Sequence, residues 1–315
     1  MEQRGIADMD YLTQQLINGL SIGATYALIA LGYTMVYGVL RLINFAHGEV
    51  YMMGAVVAYW IAIGISPWGW PVWGVLAVIF GGAIGACAVL GFAIEFFAYR
   101  PLRNKPRLVV LITAIGVSLL LQNLAQTRYV FGPTPEAFPA VIEAKTVVRW
   151  TMGGPDKVVT VSNLDLLSLG LSLGLMGVLA WVVLRTRQGL ALRAVSYRFD
   201  TSSLMGINTN RTISFTFMLG SALAAVAGVV DAIRYDVRPL MGLMPGLKAF
   251  VAAVLGGIGS IPGAFVGGLV IGLIETLVKG YLSSAYSDAV AFVVLIVILL
   301  VRPSGILGRY EAEKL

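Results

Sequence analysis

Apolar residues run for twenty or so positions at a time along this chain, and short polar stretches separate the runs. Such a pattern predicts helices that are apolar all round, and a bilayer core of about 30 Å takes about 20 residues of helix to cross. The spans read from it are residues 11–40, 42–65, 68–99, 108–126, 164–184 and 212–230, a divided run over 245–278, and a last run over 289–301. The third is longer than a perpendicular crossing requires, so it is expected to tilt or to break near Gly81 and Gly82. Glycines recur four apart, at Gly19 and Gly23 in the first span and at Gly170 and Gly174 in the fifth, and Gly263, Gly267, Gly268 and Gly272 fill the second half of the divided run. Small residues at that spacing let helices approach closely in lipid.

The divided run is interrupted by GGIGSIPG, with Gly256, Gly257, Gly259 and Pro262. Glycine and proline together disfavour a continuous helix, so two short helices joined by a bend are expected, as a re-entrant hairpin or as two crossings. Broken apolar segments border transport cavities, and they also serve as packed hinges; both readings stand at this point. The second span opens with Asn44, His47 and Glu49, polar for a segment entering a membrane, where a charge near the centre costs about 2.5 to 3.5 kcal/mol. These three join the bend residues as candidates for a translocation path. His47, the single histidine, reads as a hydrogen-bonded structural imidazole or as a proton relay, and Glu49 as a helix cap or a partner of Arg41. Asp231 and Arg234, three apart, are expected to pair locally, and Lys248 to balance an acid in the bundle or to snorkel to the interface.

Composition agrees with the pattern: 58% of the 315 residues are hydrophobic and 12% are charged, about half the charged fraction of a soluble domain. The expected fold is therefore all-α, a polytopic transmembrane bundle forming one domain over 1–315. Charge then orients it. Residues 100–107 carry Arg100, Arg103, Lys105 and Arg107 with no acid, and 185–211 carry five arginines against Asp200, an excess of four in each. The loop 127–163, with the strand-like KVVTVSN, has an excess of one. Basic loops stay inside, so 127–163 is expected in the periplasm, 185–211 in the cytoplasm, the acidic N-terminus outside and the C-terminus inside. That alternation requires an odd number of crossings, seven or nine. The net charge of +6 is accounted for by these loops without a nucleic-acid partner.

Chemistry is sparse. There is one cysteine, Cys87, and no GxxxxGKS or GxxxxGKT loop, HExxH, CxxC or nucleophile with a base, so no catalysis, metal or cofactor is expected. Passage across the membrane remains, driven by an external engine gripping 185–211, whose centre predicts a helix with Leu192 and Val195 on one face and Gly206 at its end. A gradient-driven transporter acting alone and a passive channel are the other readings.

Four stretches then carry a resemblance: ATYALIALGYTMVYGVLRLINFAHGEVYMMGA (24–55), LMGINTNRTISFTF (204–217), GLKAFVAAVLGGIGSIPGAFVGG (246–268) and PSGILGR (303–309). The chain resembles the permease subunits of bacterial branched-chain amino acid ABC transporters, and among them the first of the two paired permeases. The resemblance implies an inner-membrane pore subunit that pairs with a second homologous permease, binds two cytoplasmic ATP-binding subunits and receives substrate from a periplasmic binding protein. It also implies that an EAA-type coupling motif falls on Asp200, Thr201 and Ser202 with Gly206, flanked by Arg193 and Ala194; the glycine matches, the acid is shortened and both alanines are replaced. Permeases for urea and short-chain amides are similar, so substrate stays open at this point.

Overall fold

The computed structural model describes residues 2–40, 42–65, 69–103, 105–151 and 158–308, with the side chains of 2–10, Thr151 and Asp200 outside that description. Arg41, offered above as a partner of Glu49, also lies outside the described residues. In chain order the elements are α1 (Glu2–Leu40), α2 (His47–Ile65), α3 (Val72–Ala93), α4 (Arg107–Gln126), β1 (Thr146–Thr151), β2 (Val158–Ser162), α5 (Asn163–Arg185), α6 (Arg187–Tyr197), α7 (Phe199–Leu204), α8 (Thr209–Arg234), α9 (Leu243–Gly256), α10 (Ile261–Tyr281) and α11 (Ser287–Val301). Eight helices are long and apolar enough to cross a membrane, and α9, with 14 residues, is not.

The core is α1, buried without a break from Ala24 to Leu31. Its Gly19, Gly23 and Ala27 lie against Gly268 and Gly272 of α10, so the two backbones touch with nothing but hydrogens between them: a Cβ on Gly23 would lie 2.8 Å from Leu269 Cα, and one on Gly268 would overlap Ala27 Cα. Packing at that range is what holds helices together where lipid supplies no hydrophobic drive. Gly170 and Gly174 on α5 repeat the spacing, but a Cβ built on either would meet no other element within 4 Å among the described residues.

The two ends of the bundle follow from these pairings. Tyr11 Oη donates to Gly280 O at one end, and Gly38 lies near Gly259 at the other, so α1 and α10 are antiparallel. On the first side lie the β1–β2 hairpin, with Thr146 opposite Ser162, and the end of α8, where Arg234 pairs with Asp165 beside the Ser162 cap of α5. On the second side lie the 100–107 loop, α6 and α7, the α9–α10 bend, and the tail from Arg302. Residues 235–242 re-enter from the first side, and Glu136 and Val237 exchange backbone bonds there. Both arms of the divided run therefore lead between the two ends of the bundle, α10 as a full-length span and α9 as a shorter helix that completes the path after residues 235–242.

Of the tilt or break expected in the third span, the break near Gly81 and Gly82 is absent, and the expected local pairing of Asp231 with Arg234 is replaced. α3 continues through Gly81 and Gly82; its regularity changes at Ile94–Tyr99, which is π-helical and contains Glu95. Glu95 is fully buried and takes Arg100, Arg103 and Ser214 Oγ (2.6 Å), so the helix is remade where a carboxylate needs partners, not where glycine permits a bend. Arg234 reaches Asp165 on α5, while Asp231 accepts from Tyr51 Oη on α2, so neighbours in space displace the expected local pair. Lys248 is buried and balances acids, bonding Glu275 at 2.8 Å and Asp288 at 2.6 Å, while Tyr26 Oη donates to the other Glu275 oxygen at 2.8 Å.

The bend itself is clasped. Gly257, at φ +102°, ends α9 in a conformation closed to L side chains, and the tail supplies what the helix end lacks: Ile306 N donates to Leu255 O (2.8 Å) and Leu307 N to Gly256 O (3.0 Å). Substituting Gly272→Ala should lower stability by about 1 to 3 kcal/mol, since its Cβ would meet the backbone of Gly23. Gly170→Ala, in open space, should stay within about 0.5 kcal/mol of the parent. Thermal unfolding in detergent reads both, and equal melting of the two variants would show that the α1–α10 seam is not where close packing matters.

Candidate functional site

α2 begins inside the span. The ring of His47, its first residue, lies against Gly32 of α1, eight positions and so about 12 Å before that helix ends. The remaining depth is covered by residues 42–46, which are not helical, and Asn44 fixes them. Its Oδ1 accepts from Ala46 N (3.1 Å) and Tyr99 Oη (2.9 Å), and its carbonyl from His47 N (3.1 Å). His47 is buried, edge-on to Tyr33 with centroids 4.7 Å apart, and Glu49 turns away from it toward α4.

α9 also begins inside the span, and the two helix starts meet. Gly242 and Gly246 pack on Gly48 backbone to backbone; a Cβ on Gly48 would lie 3.0 Å from Gly246 Cα. Three glycines at one point therefore bring two helix N-termini together within the membrane. A cavity of about 250 Å³ opens beside them, between α2, α4 and α9. Its polar wall is Glu49, Ser118 and Gln122, and its apolar wall includes Phe45, Leu119 and Leu247. Glu49 Oε1 accepts from Gln122 Nε2 (2.7 Å) and Ser118 Oγ (3.3 Å). The volume lies below the roughly 300–1,000 Å³ of drug-sized sites, so the cavity suits a small molecule.

Of the path candidates named from sequence, the structure brings Glu49 to this cavity and uses Asn44 and His47 to build the start of α2. Gly256, Gly257, Gly259 and Pro262 lie at or beyond the opposite end of α9, about 20 Å along the helix, where they form the clasped bend. Sequence reading missed Ser118 and Gly242. Gln122 was visible as an amide near the end of an apolar run, but nothing in the run points to Glu49.

The second candidate region is the elbow of 185–211. It folds as two helices. α6 turns back on α5 at Gly189, where a Cβ would overlap the carbonyls of Val182 and Val183, and buries Leu192 and Val195. Gly206, at φ +82°, follows α7 and not α6. Arg193 and Gly206 are exposed and Ala194 half-buried. Ser202 is buried, its hydroxyl donating to Arg198 O at 2.7 Å, so it faces the fold and not a partner; the side chain of Asp200 lies outside the described residues. In their place the elbow presents large apolar side chains: Leu204 is 85% exposed, Met205 78% and Tyr197 76%.

Comparison with known proteins gives the following. The family model described as branched-chain amino acid transport system / permease component matches residues 15–299. The high-affinity branched-chain amino acid transport system permease protein LivH of Escherichia coli K12 is 46% identical over 307 residues, covering 97% of this chain and 98% of that one. LivH of Salmonella typhimurium is 45% identical over 97% of this chain and 98% of that one, and BraD of Pseudomonas aeruginosa, with the same description, 44% identical over 96% and 97%.

The pinned start of α2 is open to test. Asn44→Ala removes two side-chain hydrogen bonds at a buried position and should cost about 1 to 3 kcal/mol, with Tyr99→Phe costing less because it removes one. Thermal unfolding of the purified chain measures both; an Asn44→Ala protein that melts with the parent would mean α2 starts where it does for another reason.

Proposed function

The chain belongs to the family of branched-chain amino acid transport system permease components, and from that premise we propose that it is the membrane-spanning subunit of an ABC importer for branched-chain amino acids. The observation that carries this reading is likeness from end to end: 46% identity to a LivH permease over 97% of this chain and 98% of the relative. It is a transport component and not an enzyme, working with ATP-binding and substrate-binding partners. We take its assembly to comprise two ATP-binding subunits on the cytoplasmic face, a second homologous permease beside it, and a periplasmic binding protein that delivers the amino acid.

The orientation we favour puts the elbow, the 100–107 loop and the C-terminus in the cytoplasm and the N-terminus and β1–β2 outside. Charge supports it: the two basic loops share one side, with Arg103 Nη1 donating to Asn210 Oδ1 at 2.7 Å, and positive loops resist translocation. On that side the elbow is the natural grip for an ATP-binding subunit. α6 is anchored on the bundle through Leu192 and Val195, so a push on the tip passes to α5 and α8 as a rigid-body displacement. Leu204 and Met205 supply the apolar centre of contact and Arg193 a charged edge.

In proteoliposomes holding the full assembly, leucine uptake should require internal ATP and the binding protein together. Uptake undiminished by withholding ATP, and abolished by collapsing an ion gradient, would instead mark a secondary transporter. Leu204→Asp combined with Met205→Asp should cut recovery of the ATP-binding subunits at least fivefold in co-purification without lowering the amount of permease in the membrane, whereas Ser202→Ala should leave recovery near the parent level. Undiminished recovery with the double variant would remove the elbow tip from the contact.

A further inference from the structure

Two hollows lie in one groove, and three aromatic rings part them. We propose that Tyr33, Phe45 and Phe250 form the inner gate on the path of the transported amino acid, shut in this structure. The proposal rests on the import reading above and adds which side chains of this subunit close the way to the elbow side.

The groove follows one face of α9. Leu243, Gly246 and Leu247 line the cavity of about 250 Å³, while Phe250 and Ala253 line a second, narrower hollow that reaches Ile258 in the bend. These positions recur every three or four residues, so a single stripe carries both hollows from the middle of the membrane toward the elbow side, about 15 Å along the helix. Across the groove stands Tyr33 of α1, which lines both hollows, with Tyr37 one turn further along the second. Phe250 lies between the other two rings, its centroid 6.1 Å from Tyr33 and 6.3 Å from Phe45, and both separations are contact distances for aromatic side chains. Its neighbours on the stripe, Gly246, Leu247 and Ala253, are all smaller, so the groove is filled at this one level. A dry aromatic constriction stops water and ions as well as substrate, which uphill import requires of its closed state.

The three rings differ in what holds them. Tyr33 is buried in the central helix with His47 edge-on against it at 4.7 Å, so it is the fixed side of the gate. Phe45 and Phe250 are half-buried at the margin of the packed core, and Phe45 stands in the non-helical segment 42–46. These two are the rings that turn aside. Phe45 is also tied to α8, the helix that follows the elbow. Asn44, just before it, accepts from Tyr99 Oη at 2.9 Å; Tyr99 shares its π-helical segment with Glu95, which accepts from Ser214 Oγ of α8 at 2.6 Å; and Arg103, paired with Glu95, donates to Asn210 in the first turn of α8 at 2.7 Å. A displacement of α8 therefore has a hydrogen-bonded route to the gate.

The test uses the complete assembly in proteoliposomes, with ATP inside and the binding protein and labelled leucine outside. Phe45→Ala combined with Phe250→Ala should hydrolyse ATP within twofold of the parent yet accumulate leucine at least fivefold less, because imported leucine runs back through a path that no longer shuts. Accumulation at the parent level overturns the gate. Phe45→Cys combined with Phe250→Cys, joined by a short reducible reagent that bridges two thiols, should lose uptake at least tenfold and regain it on reduction. Cys87 is buried, and the parent treated with the same reagent is the control. The cysteine pair decides the matter if the alanine pair loses hydrolysis and accumulation together, as a misfolded protein would. A bridge that does not form, uptake that survives it, or a loss that reduction does not reverse overturns the gate. A parent assembly that hydrolyses ATP and imports no leucine overturns the import reading itself.

Discussion

A polar group inside the hydrocarbon layer has no water to turn to, and an unmatched one costs several kcal/mol. This single constraint explains more of the structure than any local preference of the chain. Glu95 remakes the end of α3 and recruits a serine from α8; Lys248 joins α9 to α10 and α11 through two carboxylates; Arg234 ties the end of α8 to the start of α5. The Glu95–Ser214 and Arg234–Asp165 contacts link elements far apart in sequence and the Lys248 contacts tie three successive helices, so satisfying the charges also fixes how the helices pack. Glu49 is held on α4 by Gln122 and Ser118, and that group forms the polar wall of the cavity.

The glycine seams have a complementary role. Between α1 and α10 they remove side chains so that backbones can meet and dispersion can act at short range. At Gly48, Gly242 and Gly246 the same device brings together two helix starts. The helices that begin inside the span, α2 and α9, thus depend on the residue type that elsewhere makes the bundle tight, and the cavity is what remains beside them.

Much of this architecture was legible in the chain, for identifiable reasons. Runs of twenty apolar residues admit one interpretation in a membrane, so the long spans and the divided run could be read directly, and the helix bearing Leu192 and Val195 follows from its spacing. What could not be read depends on partners distant in sequence. Gly19 and Gly170 begin the same motif, yet among the described residues a Cβ built on the first would meet another helix and one built on the second would not. Asp231 and Arg234 satisfy the local pairing rule and are drawn to Tyr51 and Asp165 instead. Ser118 and Gln122 look like ordinary hydroxyl and amide residues of α4 until the fold sets them against Glu49, 69 and 73 positions earlier. Side-chain roles at the elbow were hidden for a similar reason: the motif position places Ser202 at a contact, and the turn of α7 faces it inward.

The clasp at the α9–α10 bend has a consequence for biosynthesis. The carbonyls of Leu255 and Gly256 are met by Ile306 and Leu307, which leave the ribosome about fifty residues later, so the helix end stays uncapped while α10 and α11 are being inserted. Capping of α9 therefore waits on the segment beyond α11, and a chain stopped before residue 306 leaves the Leu255 and Gly256 carbonyls without these two donors.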